Sequence, residues 1–446
     1  MKNNINIRLI NQLTAVINKS DISKRLFSGF SWTLIGTIIG KFLQLISFII
    51  VARLLGKEDY GKISIIRSTL SMFLMFSTLG MGTTATRYIS LYRNKEPQKA
   101  LSIYHFANKV TFVFGFIIAA LLFLFSSFVA EHSLHNPALA NALKISAVAL
   151  FFLSISAAQI GALNGFEDFK AVGIQSIING FLQFIFIIIG AYYWGINGTI
   201  FALALSALVI CYQYCYSLKP NIKNLKEKIE IIEKADMFSI FFKFSLPALL
   251  AGIATIPVLW WTKTMLINQS GYGEMAIYDV AEQWYFVLLF IPNALSSITL
   301  PLLTNTTADG TAKQYKYLIK VNLSINIGIT VLFALGIGFF SPFINKFYGK
   351  EFTNYIPMII LLVTAVICAA NNVLGQIIAS KGKMWIGFGL NSLWAFWLIL
   401  FSLLFIGKLK LGAAGLAYAM LVSYILHSIV QSIVAVKVNF LSNQNG

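Results

Sequence analysis

The sequence predicts an all-α membrane protein of about 12 transmembrane helices, arranged as two six-helix lobes in a parallel pseudo-repeat. Three observations carry this reading. Apolar residue types fill 58% of the 446 positions and charged types only 11%, with a mean hydropathy of +0.76, well outside the range of a soluble domain. Apolar runs of about 20 residues recur along the whole chain, the length a helix needs to cross hydrocarbon, and the short alternating segments of a membrane barrel are missing. Finally, a pattern of small residues in the first half returns in the second.

Taken in order, residues 1–26 form a cytoplasmic interfacial helix rather than a cleaved leader, because Leu9, Ile10, Leu13, Val16 and Ile17 share one face and no small-residue cleavage site follows. Six spans follow at about 27–51, 62–85, 110–130, 142–163, 171–194 and 199–217, making an N-terminal lobe over 27–217. Alternating Lys and Glu mark residues 218–243 as a cytoplasmic linker. A C-terminal lobe over 244–436 holds spans at about 244–267, 276–300, 321–343, 355–379, 386–406 and 412–436, and 437–446 is a cytoplasmic tail.

An excess of positive charge, +18, raises the question of nucleic acid, but its distribution points to a membrane. Of the 34 Lys and Arg residues, 23 fall in the termini and the loops on their side and only 7 in the opposite loops. By the positive-inside rule both termini are cytoplasmic in a multi-pass inner (plasma) membrane protein. The remaining four, Lys41, Arg67, Lys144 and Lys263, lie inside spans.

The repeat is read from Gly195, Gly198, Ala202 and Ser206, which recur as Gly412, Gly415, Ala419 and Ser423, with Phe201 opposite Tyr418. Upstream, Gly161 and Gly173 correspond to Gly375 and Gly387. Two halves with an even number of helices are related by an axis along the membrane normal, and such proteins hold substrate between the halves.

Together with the basic tail and short outer loops, the segment Val51-Ala52-Arg53-Leu54-Leu55-Gly56-Lys57-Glu58-Asp59-Tyr60-Gly61 resembles the Wzx-type polysaccharide-biosynthesis flippases. These belong to the multidrug/oligosaccharidyl-lipid/polysaccharide exporter superfamily. The resemblance implies a V-shaped, MATE-like transporter that moves undecaprenyl-diphosphate-linked oligosaccharide, an O-antigen, capsule or exopolysaccharide repeat unit, from the inner to the outer leaflet by alternating access. It also implies membrane lipids as surroundings, and a polymerase and chain-length regulator of the same pathway as partners.

A cation inside hydrocarbon costs roughly 2.5–3.5 kcal/mol even on lenient scales. Lys41, Arg67 and Lys263 are accordingly candidates to line a cavity and attract a diphosphate, Arg offering a planar fork to phosphate oxygens. Asp279 and Glu282, three residues apart on one helical face, are candidates for ion coupling or for ion pairing, with Lys263 placed to meet Asp279 across the hairpin of spans seven and eight. The alternative for Arg67 is snorkelling to the outer headgroups. Arg53 and Pro257 are gating candidates: Arg53 sits in the outer turn, and Pro257 removes a backbone donor in mid-span and bends the helix. Arg87 and Lys144 read as interfacial anchors, Trp260 and Trp261 as interfacial or packing residues.

No catalytic residues or cofactors are expected. Cys211, Cys215 and Cys368 lie within spans as small apolar filler, and His105, His132, His135 and His427 make no metal set. No phosphate-binding loop or nucleophile elbow is present, so energy comes from an ion gradient, the membrane potential or substrate flux. Other functions fit the sequence less well. A drug/cation antiporter of the same superfamily would favour acidic residues in its cavity, and a membrane polymerase or glycosyltransferase would need a larger extramembrane loop.

Overall fold

A computed structural model describes residues 21–223, 246–309, 312–380 and 383–444. Among them every regular element is helical, as backbone groups without water require. The elements are α1 (Asp21–Thr78), α2 (Met81–Tyr92), α3 (Pro97–Leu124), α4 (Ala140–Gly165), α5 (Phe169–Lys223), α6 (Leu246–Ile253), α7 (Ile256–Ser270), α8 (Tyr272–Asp309), α9 (Ala312–Tyr348), α10 (Ile356–Ser380), α11 (Met384–Ser402) and α12 (Gly412–Gln444).

Among the described residues, eight helices are long and apolar enough to cross a membrane, and two of these are hairpins. In α1, Arg67 stacks on the ring of Phe48 at 3.9 Å, although a straight helix would separate residues 19 apart by roughly 28 Å. The chain reverses at Gly56, whose φ of 80° and ψ of 173° break the helix. Likewise α5 reverses at Gly195, which brings Gln175 Nε2 to Ser217 Oγ at 2.8 Å and Asn179 Nδ2 to the Tyr214 hydroxyl at 3.2 Å. With α6–α7 and α8 as the seventh and eighth, the chain makes about twelve crossings. Side chains such as Leu124, Phe339 and Leu335 stand 69–75% exposed on the outside, where lipid is their natural solvent.

Helices α1–α5 pack mainly on one another, and so do α6–α12; contact between the groups runs through α1 against α6, α7, α8 and α9. The turns at Gly56, Gly195, Gly271, Gly349 and Gly412 lie at one end of the bundle, here the turn end. At the other, the terminal end, lie Asp21, Gln444 and the breaks at 79–80, 166–168 and 383.

Two of the positions paired in the sequence share local features. Gly195 and Gly412 share φ values of 57° and 58°, and Ser206 and Ser423 are both fully buried. A second pair was not read from the sequence: Gly271 has φ 85° and ψ 171°, nearly the angles of Gly56. The upstream correspondence is not echoed. Gly161 abuts the Gly82 backbone and Gly173 that of Trp32, whereas Gly375 faces only the Gln431 amide and Gly387 open space.

Two expected spans are interrupted. The second ends at Thr78, because Leu79 and Gly80 take positive φ, and α2 restarts at a new angle to pack on α3 and α4. The seventh breaks at 254–255, so Pro257 lies in the first turn of α7, where its missing N–H has no intrahelical role. It therefore marks a helix start rather than a mid-helix bend. The expected interfacial helix lies mainly outside the described residues, as do linker residues 224–243.

Candidate functional site

Toward the turn end, the hairpin of α1 is locked against α7–α9. Two helices start there just after the paired glycines, and each receives a carboxylate from across the boundary. The Lys57 N–H donates to Glu351 Oε2 at 2.9 Å, and the Gly273 N–H donates to Glu58 Oε1 at 3.1 Å. Both satisfy orphan donors at a positive helix end. Arg53 Nη2 donates to the Lys346 carbonyl at 3.3 Å, near the negative end of α9, and the Tyr272 hydroxyl donates to the Leu134 carbonyl at 2.5 Å. Gly61 lies so close to the Tyr272 backbone that any Cβ would collide with its carbonyl.

One layer deeper, Tyr60, Tyr278, Tyr348 and Phe352 are wholly buried. Tyr60 sets its ring edge-on to Phe352 with centroids 6.1 Å apart. Its hydroxyl donates to Asp279 Oδ2 at 2.9 Å, and Gln283 Nε2 donates to the same oxygen at 2.7 Å. The Tyr348 hydroxyl donates to Gln283 Oε1 at 3.4 Å. Asp279 is thus a buried carboxylate held by two donors, with the Arg67 guanidinium 3.6 Å away.

Arg67 does not snorkel outward. Its guanidinium rests on Phe48, faces Asp279, and keeps Nη1 without a hydrogen bond. Lys41 is exposed on the other arm of α1. It lies seven residues before Phe48, hence on the same helical face and roughly 10 Å nearer the terminal end. Lys41 and the Phe48 ring that carries Arg67 thus share one face of the first arm of α1, beneath the tyrosine layer.

Lys263 belongs elsewhere. The expected pairing with Asp279 is replaced by Lys263 Nζ donating to Glu282 Oε2 at 2.6 Å, with both groups buried. Three residues turn a helix by about 300°, so positions 279 and 282 lie roughly 60° apart. That angle aims Asp279 at α1 and Glu282 back at α7. The intended cavity lysine is sequestered within one hairpin. Trp260 is likewise not interfacial, since its Nε1 donates to Thr69 Oγ1 at 2.9 Å; Trp261 is exposed. Arg87 is exposed near Tyr88, and Lys144 is half-buried near the Phe123 ring. No cluster of His, Cys, Asp or Glu suited to a metal occurs among the described residues.

The sequence reading passed over Tyr60, Gln283, Tyr348, Glu58 and Glu351. Tyr60 and Glu58 lay inside the segment that carried the family resemblance, and Gln283 adjoins Glu282. Tyr348 and Glu351 had no local signal, for their partners are far away in the chain.

The fold is that of solved MATE-family membrane transporters. A multidrug resistance MATE transporter in its inward-facing conformation superposes with a TM-score of 0.79 at 13% identity, covering 93% of this chain and 99% of the other. The outward-facing conformation of such a transporter gives 0.69 at 14% identity, covering 93% and 96%. Residues 26–307 match the family described as polysaccharide biosynthesis protein, and the chain belongs to that family. It is 30% identical over 189 residues to the EPS I polysaccharide export inner membrane protein EpsE of Ralstonia nicotianae, covering 41% of this chain and 42% of that protein. This match spans about two fifths of EpsE's length. The capsular polysaccharide biosynthesis protein CapF of Staphylococcus aureus is 23% identical over 412 residues, covering 89% of this chain and 97% of CapF.

Proposed function

We propose that this protein is a flippase carrying undecaprenyl-diphosphate-linked oligosaccharide from the inner to the outer leaflet of the inner membrane by alternating access between two six-helix lobes. The observation that carries the reading is Arg67 resting on Phe48, with Lys41 on the same face of the first arm of α1. A guanidinium within the membrane span whose side chain stays 27% exposed suits a diphosphate, which it meets with two parallel charge-assisted hydrogen bonds. Relatives named for polysaccharide export and capsule biosynthesis support the cargo class.

With the termini cytoplasmic, the turn end is the outer gate and the described state is inward-open. The higher TM-score to an inward-facing transporter supports this assignment. Arg53, Glu58 and Glu351 close the gate, and the break before Pro257 is the place where span seven flexes. Headgroup binding beside Arg67 competes with Asp279 for the guanidinium and so weakens the tyrosine layer. Asp279 and Glu282 act first as ion-pair partners. The antiporter reading is not favoured, because both carboxylates already face cations.

The test is reconstitution in liposomes with a fluorescent polyprenyl-diphosphate glycan in one leaflet. Wild-type protein is expected to transfer the label and Arg67→Ala to lose most of that rate. Absence of transfer by wild type under every ion gradient and potential would overturn the reading.

A further inference from the structure

A cavity of about 400 Å³ lined by several amide side chains lies within the C-terminal helices, between α8, α10, α11 and α12, a size within the range of small-molecule sites. Asn371, Gln376, His427 and Gln431 line it, each at most 8% exposed. Both amide atoms of Asn371 and of Gln376 are buried with no hydrogen-bond partner. Buried polar groups are nearly always satisfied, so this concentration points to an occupant. At the mouth, Asn372 Nδ2 donates to Asn293 Oδ1 at 3.0 Å.

The chemistry of the lining selects the occupant. No Lys or Arg lines the cavity, so an anion has no counter-charge. No Asp or Glu lines it either, so a hard cation lacks the carboxylates it usually takes. What remains is a neutral ligand that both donates and accepts many hydrogen bonds, as amides do. Sugar hydroxyls have that property, and Tyr424 beside His427 supplies an aromatic edge.

The position also fits. Asn293 lies 14 residues beyond Asp279 on α8, within about 40° of the same face and roughly 21 Å along the axis. The mouth therefore opens toward the space that Arg67 faces, at a distance a glycan of a few rings covers. Apart from Asn293, the lining residues lie beyond the 26–307 region matched by the family, as suits a feature tuned to one cargo.

We infer that this cavity is a glycan subsite, holding a sugar ring of the cargo while its diphosphate sits beside Arg67 and Lys41; the inference rests on the flippase reading. Its test compares two probes on purified protein in nanodiscs. One is the lipid-linked glycan extracted from the producing cells, and the other is sugar-free farnesyl diphosphate. Wild type is expected to bind the glycosylated lipid about tenfold more tightly. Asn371→Ala and Gln376→Ala, each alone, are expected to erase that preference while binding farnesyl diphosphate as wild type does, which also shows that they fold. An unchanged preference in both variants would overturn the subsite. If wild type binds neither probe, the flippase reading falls and takes the subsite with it; if wild type binds both equally, only the subsite falls.

Discussion

The two cation–carboxylate pairs on α8 make an instructive contrast. Lys263 and Glu282 meet at 2.6 Å within one hairpin, with side chains 11% and 12% exposed. Arg67 and Asp279 face each other at 3.6 Å across the boundary between helix groups, and the arginine side chain is 27% exposed. The first is a closed, saturated pair. The second is open on one side, and its carboxylate is shared with Tyr60 and Gln283. Burial and saturation, rather than charge alone, separate the two pairs.

The largest expected effect is on stability. Glu282→Gln strands a buried ammonium and is expected to destabilise the protein by about 3–5 kcal/mol, read as a fall in thermal midpoint in detergent. The double change Lys263→Met with Glu282→Leu should restore most of that loss, since a well-packed apolar pair replaces a buried ion pair with little penalty. If Glu282→Gln melts like wild type, the two pairs are not different in kind.

Arg67→Ala is expected to reverse the pattern, with a smaller fall in thermal midpoint, since Tyr60 and Gln283 still donate to Asp279, and cargo transfer down by about tenfold or more. Arg67→Lys should retain part of the rate, because an ammonium keeps the charge but not the fork. Next in size are the reciprocal caps. Glu58→Gln or Glu351→Gln each removes a charged cap worth roughly 1 kcal/mol, so thiol labelling of a cysteine at Phe352 from the turn end should rise about fivefold. The smallest effect belongs to Lys41→Ala. An exposed cation on the first arm of α1 should change transfer by about two- to threefold and leave stability within about 0.5 kcal/mol.

Helix number and spans were legible because hydrocarbon imposes length and composition on every crossing. Gly56 and Gly195, bounding apolar runs, announced the hairpins. Leu79 did not announce the break in span two, since nothing in its neighbours marks a positive φ. The charged residues were easy to find and hard to pair. Their separation in sequence fixes faces, but whether Lys263 meets Asp279 or Glu282 depends on how α8 is rotated against α1. The polar lining escaped notice for a related reason. Tyr424, His427 and Gln431 form a stripe at helical spacing, yet it reads as a cavity only when the stripe of Asn372 and Gln376 is placed opposite.

The reciprocal caps bear on kinetics. Glu58 holds the start of α8 while Glu351 holds the start of the second arm of α1. Rigid rocking would rupture both bonds in one movement, so the closed arrangement is a discrete well and not one point on a slope. Dwell times in that state should then follow a single exponential, lengthened by whatever strengthens either cap and indifferent to which sugar waits below.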